Sequence, residues 1–225
     1  MFKSKLRAIN YSQYEHGRLA GTLARLWGNE DFDRPALEFL PFADGVTLHD
    51  WGYGVLDNFP IGEGQEEAWL EIMRRGAAAR FDHPVTDIVA KLHQRRLLSW
   101  EHSAAREALI AEIDRLVADR LPESGASLAE FQRADKITQV CDMISFGFCF
   151  EAEQQRTYDV YARRGSDEVT AVGFEIRPGG EVLVTPWPFA VPGVSGILYA
   201  FKREGYPDTL RPLIIPFHIH GSSAA

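Results

Sequence analysis

Apolar residues recur at helical spacing through the first two thirds of the chain, as Leu19 and Leu23 illustrate, and this spacing is typical of helices that bury one face. Ser12 followed by Glu15 is a capping-box pattern and marks the start of the first helix. We expect the fifth helix to end before Pro122, because proline breaks helical hydrogen bonding. The predicted helices span residues 12–27, 43–53, 64–81, 84–100, 102–121 and 127–150.

After residue 150 the pattern changes to short β-branched and aromatic runs separated by Gly and Pro, which is typical of strands. Gly179 and Gly180 lie between two alternating runs and predict a two-residue hairpin turn. The predicted strands span residues 157–163, 168–177, 181–187, 194–203 and 212–220. We therefore expect a mainly α fold, α+β overall, with a helical core over residues 1–150 and a small antiparallel β-sheet subdomain over residues 151–225 packed on it.

Composition narrows the classes of partner. The chain has 225 residues, and the 45% that are apolar are enough for a sizeable core. The formal net charge of −8 argues against non-specific nucleic-acid binding, which needs a basic surface. An anionic small molecule stays open as a substrate, because a metal or a few arginines reverse the field inside one pocket. We expect a small-molecule substrate or ligand and neither nucleic acid nor a membrane as a partner.

The cysteines and the N-terminal residues bear on the cellular compartment. Cys141 and Cys149 predict buried thiols rather than a disulfide framework or a cysteine-rich zinc site. The opening residues MFKSKLRAINYS contain no apolar segment of the signal-peptide kind. No run of about 18 apolar residues, the length that spans a bilayer, occurs in the sequence. We therefore expect a soluble cytoplasmic protein.

The segment TLHDWGYG, residues 47–54, carries the adjacent pair His49 and Asp50. His16 lies on the apolar stripe of the first predicted helix, where an unpartnered polar ring is costly. Asp142 lies in the nearly uncharged stretch QVCDMISFGFC, where a carboxylate needs a compensating cation. Three predicted helices thus each offer one or two inward ligands, as in helix-bundle metal sites. Imidazole with carboxylate favours a divalent transition metal, namely Mn, Fe, Co, Ni or Zn.

The order His16, His49-Asp50, Asp142 resembles the HD superfamily of metal-dependent enzymes, many of which are phosphohydrolases. More closely, the chain is similar to a bacterial family of uncharacterised proteins, domain of unknown function 3891. The resemblance implies an HD-like helical core and carries no named activity. The matching pieces, spread over residues 15–189, are EHGRLAGTLARLWG, TLHDWGYG, VAKLHQRRL, QVCDMISFGFCF and VTPWPF.

Further histidines and cations extend the candidate site. In dinuclear HD-type sites extra histidines hold a second metal, and we include His93, which leans inward on the fourth predicted helix, among the metal ligands. His83 lies ten residues earlier, about 15 Å along the same helix, and is more typical of a cap before Pro84. The roles of His218 and His220, which share one face of the last predicted strand, stay open. The candidate substrate-binding residues are Arg95, Arg96 and Trp51.

Three functions fit these residues. The first is a metal-dependent phosphohydrolase acting on a small phosphorylated substrate, with Asp50 and Asp142 as the candidate catalytic acids and a cation among Arg95, Arg96, Arg18 and Lys91 for the phosphate. The second is a non-enzymatic protein that binds a metal or a small ligand through a closed ligand shell. The third is an HD-type di-iron oxygenase, whose second metal would require both His93 and His83.

Overall fold

Six α-helices lie within the residues that the structure describes. The structure, a computed structural model, describes residues 1–152, 154–177 and 179–221. Every helix except the second begins within two residues of its predicted start. The helices are α1 (Gln13–Leu26), α2 (Phe39–Thr47), α3 (Glu66–Ala78), α4 (Pro84–Leu98), α5 (Ala104–Ser124) and α6 (Leu128–Phe150).

Local capping explains where the first and last helices begin. Ser12 accepts a hydrogen bond from the backbone N–H of Glu15, which satisfies one of the free donors of the first turn. Ser127 and Glu130 bond reciprocally to each other's backbone N–H and form a complete capping box at the start of α6. Both starts are therefore fixed by short sequence patterns.

Two predicted helix ends are wrong. The helix predicted over residues 43–53 ends at Thr47, because the glycine and β-branched residues at its end are weak helix formers. His49 and Asp50 therefore lie in the turn after α2, and a short 3-10 helix follows at Trp51–Tyr53. The fifth helix continues through Pro122 to its end, because a proline in the last turn interrupts few remaining helical bonds.

A seven-stranded sheet is formed by the described residues. Its strand order is β1-β2-β6-β7-β5-β4-β3. All neighbouring pairs are antiparallel except β5 and β7, which are parallel. The strands are β1 (Phe2–Lys3), β2 (Ile9–Tyr11), β3 (Gln154–Tyr161), β4 (Val169–Ile176), β5 (Glu181–Thr185), β6 (Gly193–Lys202) and β7 (Pro212–Gly221).

The predicted fold class is wrong. The sheet is mixed, curls into a half-barrel and makes up a large part of the chain, so the protein is not mainly helical with a small antiparallel sheet. β1 and β2 have two and three residues, too few to show the alternation that identifies a strand. The sequence pattern also does not reveal that β5 and β7 pair in parallel, because side chains alternate with a period of two in parallel and antiparallel pairs alike.

The predicted antiparallel hairpin around Gly179 and Gly180 joins β4 to β5, but its connection is longer than the predicted two residues, since β4 ends at Ile176 and β5 begins at Glu181. β4 pairs antiparallel with β5, and Gly179 and Gly180 in the connection have φ values of 86° and 84°. Side chains other than glycine rarely adopt such values, so the two glycines allow the turn.

The helices pack together around α1, which contacts both α2 and α6. α6 in turn packs on β3 and β4, so the helical layer lies against the sheet. Gly17 and Gly21 bring α1 against the end of α2: a Cβ atom at Gly17 would lie 2.5 Å from the carbonyl oxygen of Thr47, and one at Gly21 would overlap the Thr47 side chain. The two glycines thus set the short distance between His16 on α1 and the turn after α2.

Among the described residues, no helix combines the length and the apolar character that a bilayer-spanning segment requires.

Candidate metal centre

His16 enters the candidate metal centre from α1. Its side chain is buried, and its ring lies against the ring of Phe2 with the centroids 4.9 Å apart. The Ser145 hydroxyl on α6 donates a hydrogen bond of 2.8 Å to the His16 carbonyl oxygen, which ties α1 to α6 at this level. The Nε2 atom lies 3.2 Å from a carboxylate oxygen of Asp142, so the ring nitrogen faces the interior of the centre.

His49 and Asp50 enter from the turn after α2. The Nδ1 atom of His49 lies 2.6 Å from the carbonyl oxygen of Val46. A carbonyl only accepts hydrogen bonds, so Nδ1 carries the proton and donates it. The lone pair of a neutral His49 is therefore on Nε2, which faces the centre, and a backbone partner of this kind orients many metal-binding histidines.

Four donor atoms from α1, the turn after α2, and α6 lie close to one another. They are Nε2 of His16, Nε2 of His49, Oδ2 of Asp50 and Oδ1 of Asp142. The two nitrogens lie 3.0 Å apart. The nitrogen–oxygen distances are 3.2 Å (His16–Asp142), 3.5 Å (His49–Asp50), 3.7 Å (His16–Asp50) and 3.7 Å (His49–Asp142).

The distances of 3.0 Å and 3.2 Å match the spacing of ligands around a single ion, whereas the others, at 3.5 Å and 3.7 Å, are slightly longer. Donors bound at about 2.1 Å lie roughly 3.0–3.4 Å apart when the angle at the ion is between about 90° and 110°. His16, His49 and Asp142 form one compact group that could hold a metal ion, and His49, Asp50 and His93 form another. We refer to His16, His49, Asp50 and Asp142 as the four-residue cluster.

The charges in the cluster favour a bound cation. Burial lowers the pKa of His49 to about 4, so its imidazole is neutral at neutral pH. Burial would raise the pKa of Asp50, but the neighbouring His49, His93 and His16 outweigh that effect and lower it to about 2. Burial is likewise opposed at Asp142, where the hydrogen bond from His16 and the other two histidines hold the pKa well below its usual range. Two buried carboxylates beside a neutral imidazole require compensating positive charge.

His93 and Arg96, both on α4, lie beside the two carboxylates, and the ring of His93 also contacts that of His49. Nε2 of His93 is 3.4 Å from Oδ1 of Asp50, and its Nδ1 is 3.5 Å from Oδ2 of Asp142. Nη2 of Arg96 lies 2.9 Å from Nδ1 of His93 and 3.6 Å from Oδ2 of Asp142. Nε of Arg96 donates to Asp135 at 3.0 Å, so one guanidinium joins three residues of α4 and α6.

Several buried polar atoms of the centre have no hydrogen-bond partner within the described residues. They are Nδ1 of His16, Oδ1 of Asp50 and Nε2 of His93. Buried polar atoms are rarely left unpaired without a functional reason. The unpaired atoms and the mixed nitrogen and oxygen donors fit a site that is completed by a divalent transition metal.

A family model described as a protein of unknown function (DUF3891) matches residues 3–195, most of the chain. The chain belongs to the DUF3891 family. The four-residue cluster, His93 and Arg96 all fall inside the matched range. Comparison with curated proteins found no match to this DUF3891 protein, and comparison with solved structures found none either.

The three predicted substrate-binding residues of the DUF3891 protein lie in different surroundings. Arg96 contacts the cluster directly through Asp142. Arg95 instead pairs with Asp114 of α5 at 2.5 Å, where both side chains are exposed. Trp51 is 46% exposed and packs its ring near that of Phe81. Among these three side chains, as far as the structure describes the chain, Arg96 is the one that forms an ion pair with the cluster.

The remaining histidine candidates have other partners. His83 caps α4, as its alternative interpretation predicted, by accepting a hydrogen bond of 3.2 Å from the Val85 N–H. His218 and His220 lie on β7 with ring centroids 5.0 Å apart. Nε2 of His220 lies 2.8 Å from a carboxylate oxygen of Glu181 on the neighbouring strand. The structure therefore brings His93, and none of these three, to the four-residue cluster.

The other two candidate cations of the DUF3891 protein also have partners outside the cluster. Arg18 donates to Glu15 at 2.7 Å and to the carbonyl oxygen of Ile197 at 2.6 Å. Lys91 is buried and donates to Asp87 at 2.7 Å. Among the four arginine and lysine candidates, Arg96 is therefore the one placed to meet an anion at the cluster.

Sequence reasoning missed two residues that hold His16, namely Phe2 and Ser145. Phe2 lies on a strand of two residues, so no periodic pattern marks it. Ser145 follows Asp142 by three positions on α6, and residues three apart share a helix face. The three-residue spacing between Asp142 and Ser145 therefore predicts that Ser145 lies beside the metal centre.

A groove next to Arg96 offers room for a small molecule. Its volume is about 650 Å³, and it lies between α4, α5 and α6, within the usual size range of small-molecule sites. Arg96, Asp135 and Gln139 are among the side chains that line it. Since Arg96 also contacts Asp142, this side chain connects the groove with the four-residue cluster.

Proposed function

We propose that this protein is a metal-dependent hydrolase of small phosphorylated molecules, with one divalent transition-metal ion held by His16, His49, Asp50 and Asp142. The observation that carries the proposal is the convergence of four donor atoms from three segments, each histidine nitrogen within 3.7 Å of the other donors. The order of these ligands resembles that of the HD superfamily, many of whose members are phosphohydrolases, and this resemblance supports the reaction class.

Such a reaction needs an activated water, a group that orients this water and a group that binds the phosphate. A bound divalent ion lowers the pKa of water and polarises a phosphoryl oxygen. Asp50 has the most exposed side chain of the cluster, at 9%, and is the carboxylate placed to orient the attacking water. Arg96 is placed to bind the phosphate with its planar guanidinium, and the groove beside it holds the remainder of the substrate.

A second function is favoured by the burial of the cluster. The four side chains are between 0% and 9% exposed, and closed four-ligand shells are typical of structural metal sites. A non-enzymatic protein that binds a metal or a small ligand would have the same ligands and no turnover. The di-iron oxygenase alternative needs a second ion, and His93 is the additional histidine beside the cluster.

Metal content measured by mass spectrometry tests the site first. The protein is purified without a chelator, together with the variants His49→Gln and Asp142→Asn. The exposed residues His102 and Asp208 provide the matched controls His102→Gln and Asp208→Asn. We expect stoichiometric metal in the wild type and both controls and none in the two site variants, with circular dichroism confirming that all are folded.

Hydrolysis then separates the enzyme from the binding protein. The metal-loaded protein is incubated with p-nitrophenyl phosphate, bis-p-nitrophenyl phosphate and nucleoside mono- and triphosphates, and phosphate or nitrophenol release is followed. Turnover that requires both metal and Asp142 supports the hydrolase. Bound metal with no turnover across the panel favours the non-enzymatic function, and a wild type that takes up no metal after reconstitution contradicts the metal site itself.

A further inference from the structure

Each carboxylate of the cluster presents its two oxygens to different partners. Oδ2 of Asp50 and Oδ1 of Asp142 face the nitrogens of His16 and His49. Oδ1 of Asp50 faces Nε2 of His93 instead. The remaining oxygen, Oδ2 of Asp142, lies near both His93 and Nη2 of Arg96. Each carboxylate thus contacts the inner histidines, His16 and His49, with one oxygen and residues of α4 with the other, while the ring of His93 also packs against that of His49 with the centroids 4.3 Å apart.

Arg96 determines which nitrogen of His93 carries the proton. A guanidinium donates hydrogen bonds and accepts none, and Nη2 of Arg96 lies 2.9 Å from Nδ1 of His93. Nδ1 must therefore present its lone pair, so the ring proton of His93 is on Nε2. A protonated nitrogen has no lone pair for a metal, and Arg96 blocks the shift of this proton to Nδ1 of His93, whereas Nδ1 of His16 has no hydrogen-bond partner among the described residues and is free to take a proton from its own Nε2. In this geometry, neither nitrogen of His93 is available as a ligand.

The proton on Nε2 of His93 has an acceptor within reach. Oδ1 of Asp50 lies 3.4 Å away, and neither atom has another hydrogen-bond partner among the described residues. A hydrogen bond between them would satisfy both buried atoms at once. It would also hold Asp50 in the orientation that points its other oxygen, Oδ2, at His16 and His49.

His49 gives a second, independent reason to expect one ion rather than two. His49 belongs to both groups that could hold a metal, the one with His16 and Asp142 and the one with Asp50 and His93. Its Nδ1–H is bonded to a backbone carbonyl, which leaves Nε2 as its one free nitrogen. A single nitrogen lone pair binds one ion, so the two groups cannot both be filled through His49.

We propose that the site holds one ion, and that His93 and Arg96 are positioning residues that act on the ligands Asp50 and Asp142 without touching the ion. Arg96 fixes the tautomer of His93, His93 orients Asp50, and Arg96 lies beside the outer oxygen of Asp142. Outer partners of this kind tune the affinity of many metal sites. The inference rests on the proposed metal site and adds the number of ions and the role of α4.

Metal stoichiometry and affinity test the proposal, with Co²⁺ added to the metal-free protein and followed by absorbance and calorimetry. The variants are His93→Leu and Arg96→Met, which remove the polar atoms while keeping much of the side-chain volume. We expect one ion in the wild type and one in each variant, with the affinity lowered about 10- to 100-fold. Arg115→Met, at a 63% exposed position, is the control and leaves the affinity unchanged.

Other outcomes separate this inference from the proposed function. Two ions in the wild type with one in His93→Leu, a His93→Leu variant that is folded but binds no ion, or unchanged affinity in both variants would each overturn this inference and leave the proposed metal site intact. A wild type that binds no Co²⁺ would overturn the proposed metal site and the single-ion inference together.

The tautomer of His93 is measured without any metal. Long-range proton–nitrogen NMR correlations of the metal-free protein, assigned by comparison with His93→Leu, distinguish a proton on Nε2 from one on Nδ1. We expect the Nε2–H form. A proton on Nδ1 would contradict the contact with Arg96 and overturn the proposal even if the stoichiometry were one.

Discussion

The Nε2 atoms of His16 and His49 lie 3.0 Å apart although 33 positions separate the two residues. The approach depends on the helix that carries His16. Gly17, the next residue, faces the Thr47 carbonyl oxygen, and a Cβ atom there would lie only 2.5 Å from it. The absence of a side chain at this position therefore allows α1 and the end of α2 to bring the two histidines together.

Replacing that glycine should separate the histidines. Alanine is the better helix former by about 1 kcal/mol, so Gly17→Ala would stabilise a freely exposed helix. Here we expect the forced contact with Thr47 to dominate, lowering the free energy of unfolding by about 1–3 kcal/mol and weakening metal binding at least tenfold. Urea unfolding and metal titration measure the two effects.

Gly173→Ala serves as the matched control, because a Cβ atom at Gly173 would meet its nearest neighbour, Oγ1 of Thr157, at an ordinary 3.4 Å. We expect this variant to keep the metal affinity of the wild type. A Gly17→Ala protein that binds metal as tightly as Gly173→Ala would show that close packing of α1 does not set the distance between the histidines.

The identity of the candidate ligands could be predicted from the sequence. His16 lies on an apolar helical stripe and Asp142 in a nearly uncharged segment, and a polar group in either place needs a partner. The structure brings both to His49 and Asp50. His93 could also be predicted to point inward, because it lies four residues after Val89 and four before Leu97 on its helix.

The way in which these residues meet could not be predicted. His49 and Asp50 were expected on a helix, whereas they lie in a turn whose position depends on contacts between α1 and α2. β1, which supplies Phe2 to the centre, has two residues and pairs only with β2, so no local pattern identifies it. Both failures involve residues whose conformation is determined by tertiary packing, which overrides weak local preferences.

Metal binding should stabilise the folded protein. An ion that binds the native state alone adds about 2.7 kcal/mol at a free concentration of about 100 times its Kd. For a chain of this size we expect the Tm of the metal-free protein to rise by roughly 5–11 °C on saturation. Differential scanning calorimetry with added Zn²⁺ or Mn²⁺ measures the shift.

The rise in Tm on adding metal should disappear when a metal-binding side chain is replaced. His49→Gln and Asp142→Asn are expected to show no rise in Tm at the metal concentration that saturates the wild type, whereas Asp208→Asn shifts fully. An equal shift in all four proteins would mean that the ion stabilises the chain from a different location.

Phe2 connects the first strand to the metal centre. Its ring is 1% exposed and packs on the ring of His16 and on the edges of Phe146 and Phe150. Phe2→Ala should lower the free energy of unfolding by about 3–5 kcal/mol, because it removes the buried ring and leaves a cavity. We also expect weaker metal binding, since His16 loses its packing partner. Urea unfolding and metal titration are the measurements.

Leu6→Ala provides the comparison for Phe2, because Leu6 lies in the same N-terminal segment and is 63% exposed. A surface position should change the unfolding free energy by less than about 0.5 kcal/mol. If Phe2→Ala were no more destabilising than Leu6→Ala, the packing of β1 on the metal centre would contribute little to stability.

Glu151 gives the stability of the fold a dependence on pH. The residue follows α6 and accepts hydrogen bonds from Ser4 Oγ and Tyr11 Oη, both at 2.6 Å, and from Arg7 Nε at 2.9 Å. Burial would raise the pKa of its carboxyl, but the hydrogen bonds from these three residues outweigh burial and lower it. Folding therefore favours the ionised form, and its stabilising effect is lost as the pH falls below the unfolded-state pKa of about 4.3.

The expected effect of Glu151→Gln follows from that sign. At pH 7 the variant should be less stable than the wild type by about 2 kcal/mol, the usual size for hydrogen bonds to a charged group. The difference should shrink as the pH falls from about 5 towards the lowered pKa of the folded state, because the unfolded wild-type chain then binds a proton that the folded chain binds less readily. Urea unfolding at pH 7, 5, 4 and 3 measures it, with Glu204→Gln at an 83% exposed site as the control. A difference that stays constant over this range would mean that the charge of Glu151 does not stabilise the N-terminal segment, and that the shape of its side chain does.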